Sequence, residues 1–186
     1  MEEFSVGKPK YLFKIVALGS GGVGKTSLIR SYAGLKLEPV YLPTLGIDIT
    51  SQSVTVDGTE VRLLCSDTAG QEYFSRLRPA YYKGACGALI VFDITQIRTF
   101  EAVGRWLEEL SDSIPDDIPK ILIGNKIDLE NREVAKEQAE KFAKKEEMLF
   151  YETSALTGAN VKKIFKELTR LILIDQEEKE KQAEKK

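Results

Sequence analysis

The chain has 186 residues, 42% hydrophobic and 30% charged, with 27 Lys and Arg against 29 Asp and Glu and no histidine. That length fits one domain of ordinary size, and a net charge of −2 gives no general attraction to nucleic acid or to an anionic membrane surface. Without histidine there is no imidazole for acid–base catalysis or metal ligation, so any catalysis must rest on a local site built from other groups.

In chain order, residues 1–9 read as a flexible N-terminus and "YLFKIVAL" (11–18) as a strand, β-branched and aromatic, ending at a glycine-rich loop. "KTSLIRSYAG" (25–34) has helical spacing and a terminating Gly34. Pro39 and Pro43 disfavour helix across 35–46. "IDITSQSVTV" (47–56) and "EVRLLCS" (60–66) read as strands joined by Asp57-Gly58, a strong signal for a two-residue hairpin. "DTAGQEYFSRLRPAYYKG" (67–84) shows no clean period, whereas "ACGALIVFD" (85–93) is a continuous apolar run suited to a strand buried on both faces.

"FEAVGRWLEELSDS" (100–113) and "VAKEQAEKFAKKEE" (134–147) are amphipathic helices, and "KILIGN" (120–125) and "LFYET" (149–153) are strands. "VKKIFKELTRLILI" (161–174) closes the folded domain, expected over 10–174, before a charged tail at 175–186. The pattern predicts an α/β fold: six strands and five helices, a mostly parallel sheet with one antiparallel hairpin strand and helices on both faces. Ligands in such folds sit at the carboxyl ends of the strands.

Cys65 and Cys86 each sit in a strand-like apolar run and read as buried thiols rather than as a disulfide or a metal pair. With no signal peptide, they point to a reducing, cytoplasmic setting. No apolar stretch approaches the roughly 20 residues of a membrane helix. Met1-Glu2 carries no myristoylation signal, and "DQEEKEKQAEKK", with five acids and four lysines, offers neither a prenylation cysteine nor a polybasic anchor. Membrane contact is expected only through partners or a longer tail.

Four loops that end strands carry the chemistry. "GSGGVGKT" (19–26) fits G-x-x-x-x-G-K-[ST], whose backbone N–H groups wrap a phosphate chain. Gly21, Gly22, Val23, Gly24, Lys25, Thr26 and Ser27 are the expected contacts, with the Lys25 ammonium on the β- and γ-phosphates and the Thr26 hydroxyl on Mg²⁺. "NKID" (125–128) supplies Asp128, whose carboxylate can accept from guanine N1–H and the 2-amino group together, a pairing adenine lacks. Asn125 would brace the loops, and the stem of Lys126 would cover one face of the base. In "DTAGQE" (67–72), Asp67 would hold Mg²⁺ through water, Gly70 would offer an N–H to the γ-phosphate, and Gln71 would orient an attacking water. In "TSAL" (153–156), around Ser154 and Leu156, the Ala155 N–H would meet guanine O6.

Together these motifs resemble the Ras superfamily of small GTPases, whose P-loop G domain the resemblance places over about residues 10–174. The order and spacing of the motifs match that family. "TLGID", "DTAGQE", "YYKGA" and "ETSALTG" look most like the Rab group, and the 29 residues from Asn125 to Ser154 leave no room for the Rho insert helix. The resemblance implies that Thr44, 18 residues after Thr26, completes the Mg²⁺ shell when the γ-phosphate is present, and that Tyr41 closes over the phosphates.

It also implies a molecular switch that binds GTP and GDP with Mg²⁺ and hydrolyses GTP slowly, there being no arginine in residues 31–61. Gln71, Lys25 and Thr44 would carry catalysis. An activating protein, an exchange factor and effectors would engage switch I (35–49) and switch II (67–82) of a monomer. The chain departs from the Rab pattern at Ser66 for a tryptophan, Ile49 for a phenylalanine, Leu37 for an aromatic against guanine, and Leu156 for a lysine. The alternatives are a GTPase-like scaffold that binds partners without turnover and an ATP-using P-loop kinase. Retention of Lys25, Thr26, Thr44, Asp67 and Gln71 argues against the first, and "NKID" together with the absence of any lid segment argues against the second.

Overall fold

A computed structural model describes residues 9–37, 47–68, 78–114 and 117–184. The strands are β1 (Tyr11–Leu18), β2 (Ile47–Val56), β3 (Thr59–Thr68), β4 (Gly87–Asp93), β5 (Lys120–Asn125) and β6 (Leu149–Thr153). They form one sheet in the order β2-β3-β1-β4-β5-β6, with β2–β3 antiparallel and the other pairings parallel.

Each run of β-branched and apolar residues became a strand within two residues of its expected ends. The hairpin turns at Asp57 (φ 49) and Gly58 (φ 81), both left-handed, so that Val56 pairs with Thr59. β3 runs on to Thr68, which puts Asp67 within the strand rather than in the loop after it.

The helices are α1 (Lys25–Tyr32), α2 (Arg78–Tyr82), α3 (Ile97–Glu101), α4 (Val103–Ser113), α5 (Lys136–Lys145) and α6 (Val161–Ala183). α3 and α4 meet at Ala102, and counting that pair as one segment gives five helices among the described residues, the expected number. α6 carries the charged stretch from 175 onward as helix to Ala183, with Asp175 paired to Lys179 one turn on.

Two cores sandwich the sheet. On one face α1 and α6 bring Leu28, Ile29, Ile164, Phe165, Leu168 and Ile172 against Phe13, Ile15, Leu63 and Val91. On the other, Tyr82, Val103, Trp106, Leu110, Ala139 and Ala143 cover Val16, Leu18, Ile90, Phe92 and Leu122. Every residue of β4 is buried, as its unbroken apolar run requires.

One expectation fails. Cys65 is buried in β3, but Cys86 precedes β4 and is partly exposed. Its N–H donates to the Lys14 carbonyl at 2.7 Å, and its side chain packs at the margin of the core beneath α6, only partly covered.

β1 is the point where strand order reverses, running to β3 on one side and to β4 on the other. The loops after β1, β5 and β6 therefore leave the same edge of the sheet, where such folds form their crevices.

Candidate functional site

The loop between β1 and α1 is shaped by two close approaches. A Cβ on Gly19 (φ 143) would overlap the Val91 carbonyl oxygen, and one on Gly24 (φ 100) would overlap the Asn125 side-chain amide. A larger residue at either position would push the loop off its neighbours. Lys25, 6% exposed, donates from Nζ to the carbonyls of Gly19 at 2.8 Å and Ser20 at 3.0 Å, so its ammonium lies across the loop. One residue on, the Thr26 hydroxyl donates to the Asp67 carboxylate from β3. A hydroxyl oxygen and a carboxylate oxygen thus converge beside the glycine loop, hard donors of the kind Mg²⁺ takes.

Asn125 joins three loops. Its Nδ2 donates to the Val23 carbonyl at 2.9 Å, and its Oδ1 accepts from the Thr153 hydroxyl at 3.0 Å and the Ala155 N–H at 3.3 Å. Beyond it, Ser154, fully buried, donates to Asp128 Oδ1 at 2.5 Å and accepts from the Thr157 N–H at 3.0 Å. Asp128 is itself exposed, so its carboxylate is aimed from below and open above. Lys126 takes a left-handed backbone (φ 75), and its ammonium sits 2.6 Å from Asp93 Oδ2. Leu156 is 71% exposed at the rim.

The structure thus brings together Lys25, Thr26 and Asp67 on one side and Asn125, Asp128, Ser154 and Ala155 on the other, joined through Val23. Tyr41, Thr44, Gly70 and Gln71 lie outside the described residues, as do most of switch I (35–49) and the middle of switch II (67–82). Ile49 and Ser66, where the Rab pattern carries aromatics, oppose each other across the hairpin, Ile49 59% exposed and Ser66 buried.

Two polar residues lie outside the four motifs' expected contacts. Thr153 is fully buried and orients Asn125. Asp93 is fully buried at the end of β4; burial alone would raise its pKa, but hydrogen bonds from Lys126 and Thr95 outweigh that and hold it below the ordinary carboxylate range. The available signal was an acid closing a wholly apolar strand, "GALIVFD".

Comparison with known proteins agrees with this geometry. A Ras family model matches residues 14–174. The Ras-related protein RABA5c of Arabidopsis thaliana is 47% identical over 164 residues, covering 88% of this chain and 77% of that protein. The Ras-related protein Rab-13 of Rattus norvegicus is 39% identical over 165 residues, covering 88% of this chain and 81% of that protein. With a family model along most of its length and plant and mammalian Rab proteins aligned to it, the chain belongs to the Ras family and is a Rab-like small GTPase, a GTP-hydrolysing molecular switch.

Proposed function

We propose that the loops around Lys25 and Asn125 form one guanine-nucleotide site, binding GTP and GDP with Mg²⁺ and serving a Rab-like regulator of trafficking. The observation that carries this reading is the Asn125 side chain, which ties Val23 of the glycine loop to Thr153 and Ala155 and so holds the phosphate cradle and the base-reading loops at a fixed separation.

The N–H groups of Gly21 to Ser27 and the Lys25 ammonium cradle the β- and γ-phosphates. Asp128 accepts from guanine N1–H and the 2-amino group, and Ser154 keeps that carboxylate turned to the base. The Ala155 N–H, now in a long bond to Asn125, turns to guanine O6. Thr26, Asp67 and Thr44 hold Mg²⁺, which when bound neutralises charge on the β- and γ-phosphate oxygens. Gln71 orients the attacking water, and Tyr41 and Leu156 border the nucleotide.

Residues 31–61 offer no arginine to stabilise the transferring phosphoryl group, so hydrolysis is slow until an activating protein assists. Contacts from Thr44 and Gly70 to the γ-phosphate are lost on hydrolysis. That loss changes the surfaces at 35–49 and 67–82 that exchange factors, activating proteins and effectors meet.

The test is binding of fluorescent GTP and ATP analogues, followed by single-turnover phosphate release from wild type and Gln71→Leu. Tight GTP binding, indifference to ATP and slow release that Gln71→Leu slows further are expected. Binding without release would leave a scaffold, ATP preference would overturn the base assignment, and fast unassisted release would overturn the need for an activating protein.

A further inference from the structure

The guanine-facing loop after β5 rests on a turn that no motif marks. Asp93 has no exposed surface, and both its carboxylate oxygens are engaged. Oδ1 accepts from the Thr95 N–H at 2.9 Å and the Thr95 hydroxyl at 2.7 Å, while Oδ2 accepts from the Gln96 amide at 2.9 Å and meets the Lys126 ammonium at 2.6 Å. The three hydrogen bonds from Thr95 and Gln96 are internal to the turn between β4 and α3. The Lys126 contact is not: it reaches into the base-reading loop.

The same turn is fastened to that loop by backbone. The Ile94 N–H donates to the Asn125 carbonyl at 3.1 Å, and the Ile94 carbonyl accepts from the N–H groups of Glu133 at 2.8 Å and Val134 at 3.0 Å. Glu133 Oε2 accepts the Ile97 N–H at 2.8 Å. Between these anchors Lys126 holds its left-handed backbone, a conformation that persists in a non-glycine residue where the surroundings impose it. An ammonium drawn to a buried carboxylate fixes where the lysine stem runs and how the loop toward Asp128 leaves β5.

We propose that Asp93 is a positioning residue for base recognition: through its ion pair with Lys126 it sets the loop that presents the Lys126 stem and Asp128 to guanine, and so sets the lifetime of bound nucleotide. This rests on the reading of residues 125–128 as the base-reading loop.

The experiment is a double-mutant cycle on the full chain, reading dissociation of a fluorescent GDP from wild type, Asp93→Asn, Lys126→Met and the double variant, with thermal melts to check folding. Met keeps an unbranched apolar stem, so the Lys126 variant reports the ammonium tie. Each single substitution is expected to speed release about tenfold or more with association little changed, because loss of one partner of a buried charge pair falls on the off-rate. The double variant is expected to release no faster than the faster single.

Thr95→Val, which removes a bond internal to the turn and spares the ion pair, is expected to stay within about twofold of wild type; a change as large as that of Asp93→Asn would make Asp93 a residue of the turn alone. Release from Asp93→Asn within about twofold of wild type, or single effects that multiply in the double variant, would overturn the proposal. Should Asp93→Asn not fold, Lys126→Met decides, and wild-type release from it would overturn the proposal equally. A wild type that binds no guanine nucleotide would instead remove the underlying reading of the loop.

Discussion

Asn125 is 1% exposed and uses both ends of its amide, one toward Val23 and the other toward Thr153 and Ala155. Truncation to alanine would leave a buried carbonyl and a buried hydroxyl without these partners, at a cost of about 1–3 kcal/mol. Asn125→Ala should lower the urea midpoint accordingly and weaken GDP binding in the same preparation; unchanged GDP affinity would separate the brace from the site. The two thiols make a second test. Burial pushes the Cys65 pKa up to about 12, so at pH 8 it is a protonated thiol, while Cys86 is partly exposed. Alkylation proceeds through the thiolate, so iodoacetamide at pH 8 should add one label, at Cys86, to the folded protein and two to the protein in urea. Labelling of Cys65 at a comparable rate in the folded state would contradict its placement. Asn125 could be picked out in the sequence because its neighbours form a recognisable tetrapeptide. Asp93 stood out only as an acid closing an apolar strand, and its role could not be read, since its partner Lys126 is brought to it by the pairing of β4 with β5.

Element by element, the strands could be read because a run buried on both faces must be apolar throughout, and the hairpin because Asp57 and Gly58 both adopt positive φ. The helices were less legible where their ends depend on distant residues. α3 begins at Ile97, three residues before the periodic run, and Glu133 accepts that residue's N–H from 36 positions away. α2, described over Arg78–Tyr82, lies in a stretch without a helical period. α6 outruns its apolar stripe, with the Asp175–Lys179 pair in the added length. The hairpin carries its own prediction. Gly58 (φ 81) has open space where a methyl group would project, so Gly58→Ala isolates the backbone cost of a left-handed alanine, about 1–2 kcal/mol. That loss should appear in urea unfolding without a change in nucleotide affinity, since the turn is at the far end of β3 from Asp67. Equal stability of the variant would mean that the turn relaxes to another form.

Across the whole molecule, the site and the fold share one strand. β1 lies between β3 and β4, contributes Phe13, Ile15 and Ala17 to one core and Val16 and Leu18 to the other, and then opens into the glycine loop. The loops that Asn125 ties together thus come from strands on which both cores are packed, and none of them survives unfolding as a binding surface. A ligand that binds only the folded chain stabilises it by mass action, about 4 kcal/mol at a thousandfold excess over Kd. For a domain of this size that amounts to a rise in Tm of roughly 10 °C. GDP with Mg²⁺ should therefore raise Tm by about that amount in a single cooperative transition, ATP with Mg²⁺ should not, and EDTA should reverse most of the GDP effect by removing the ion proposed to sit at Thr26 and Asp67. An equal shift with ATP would mean that Asp128 does not read the base. A GDP shift indifferent to EDTA would mean that Thr26 and Asp67 hold no Mg²⁺.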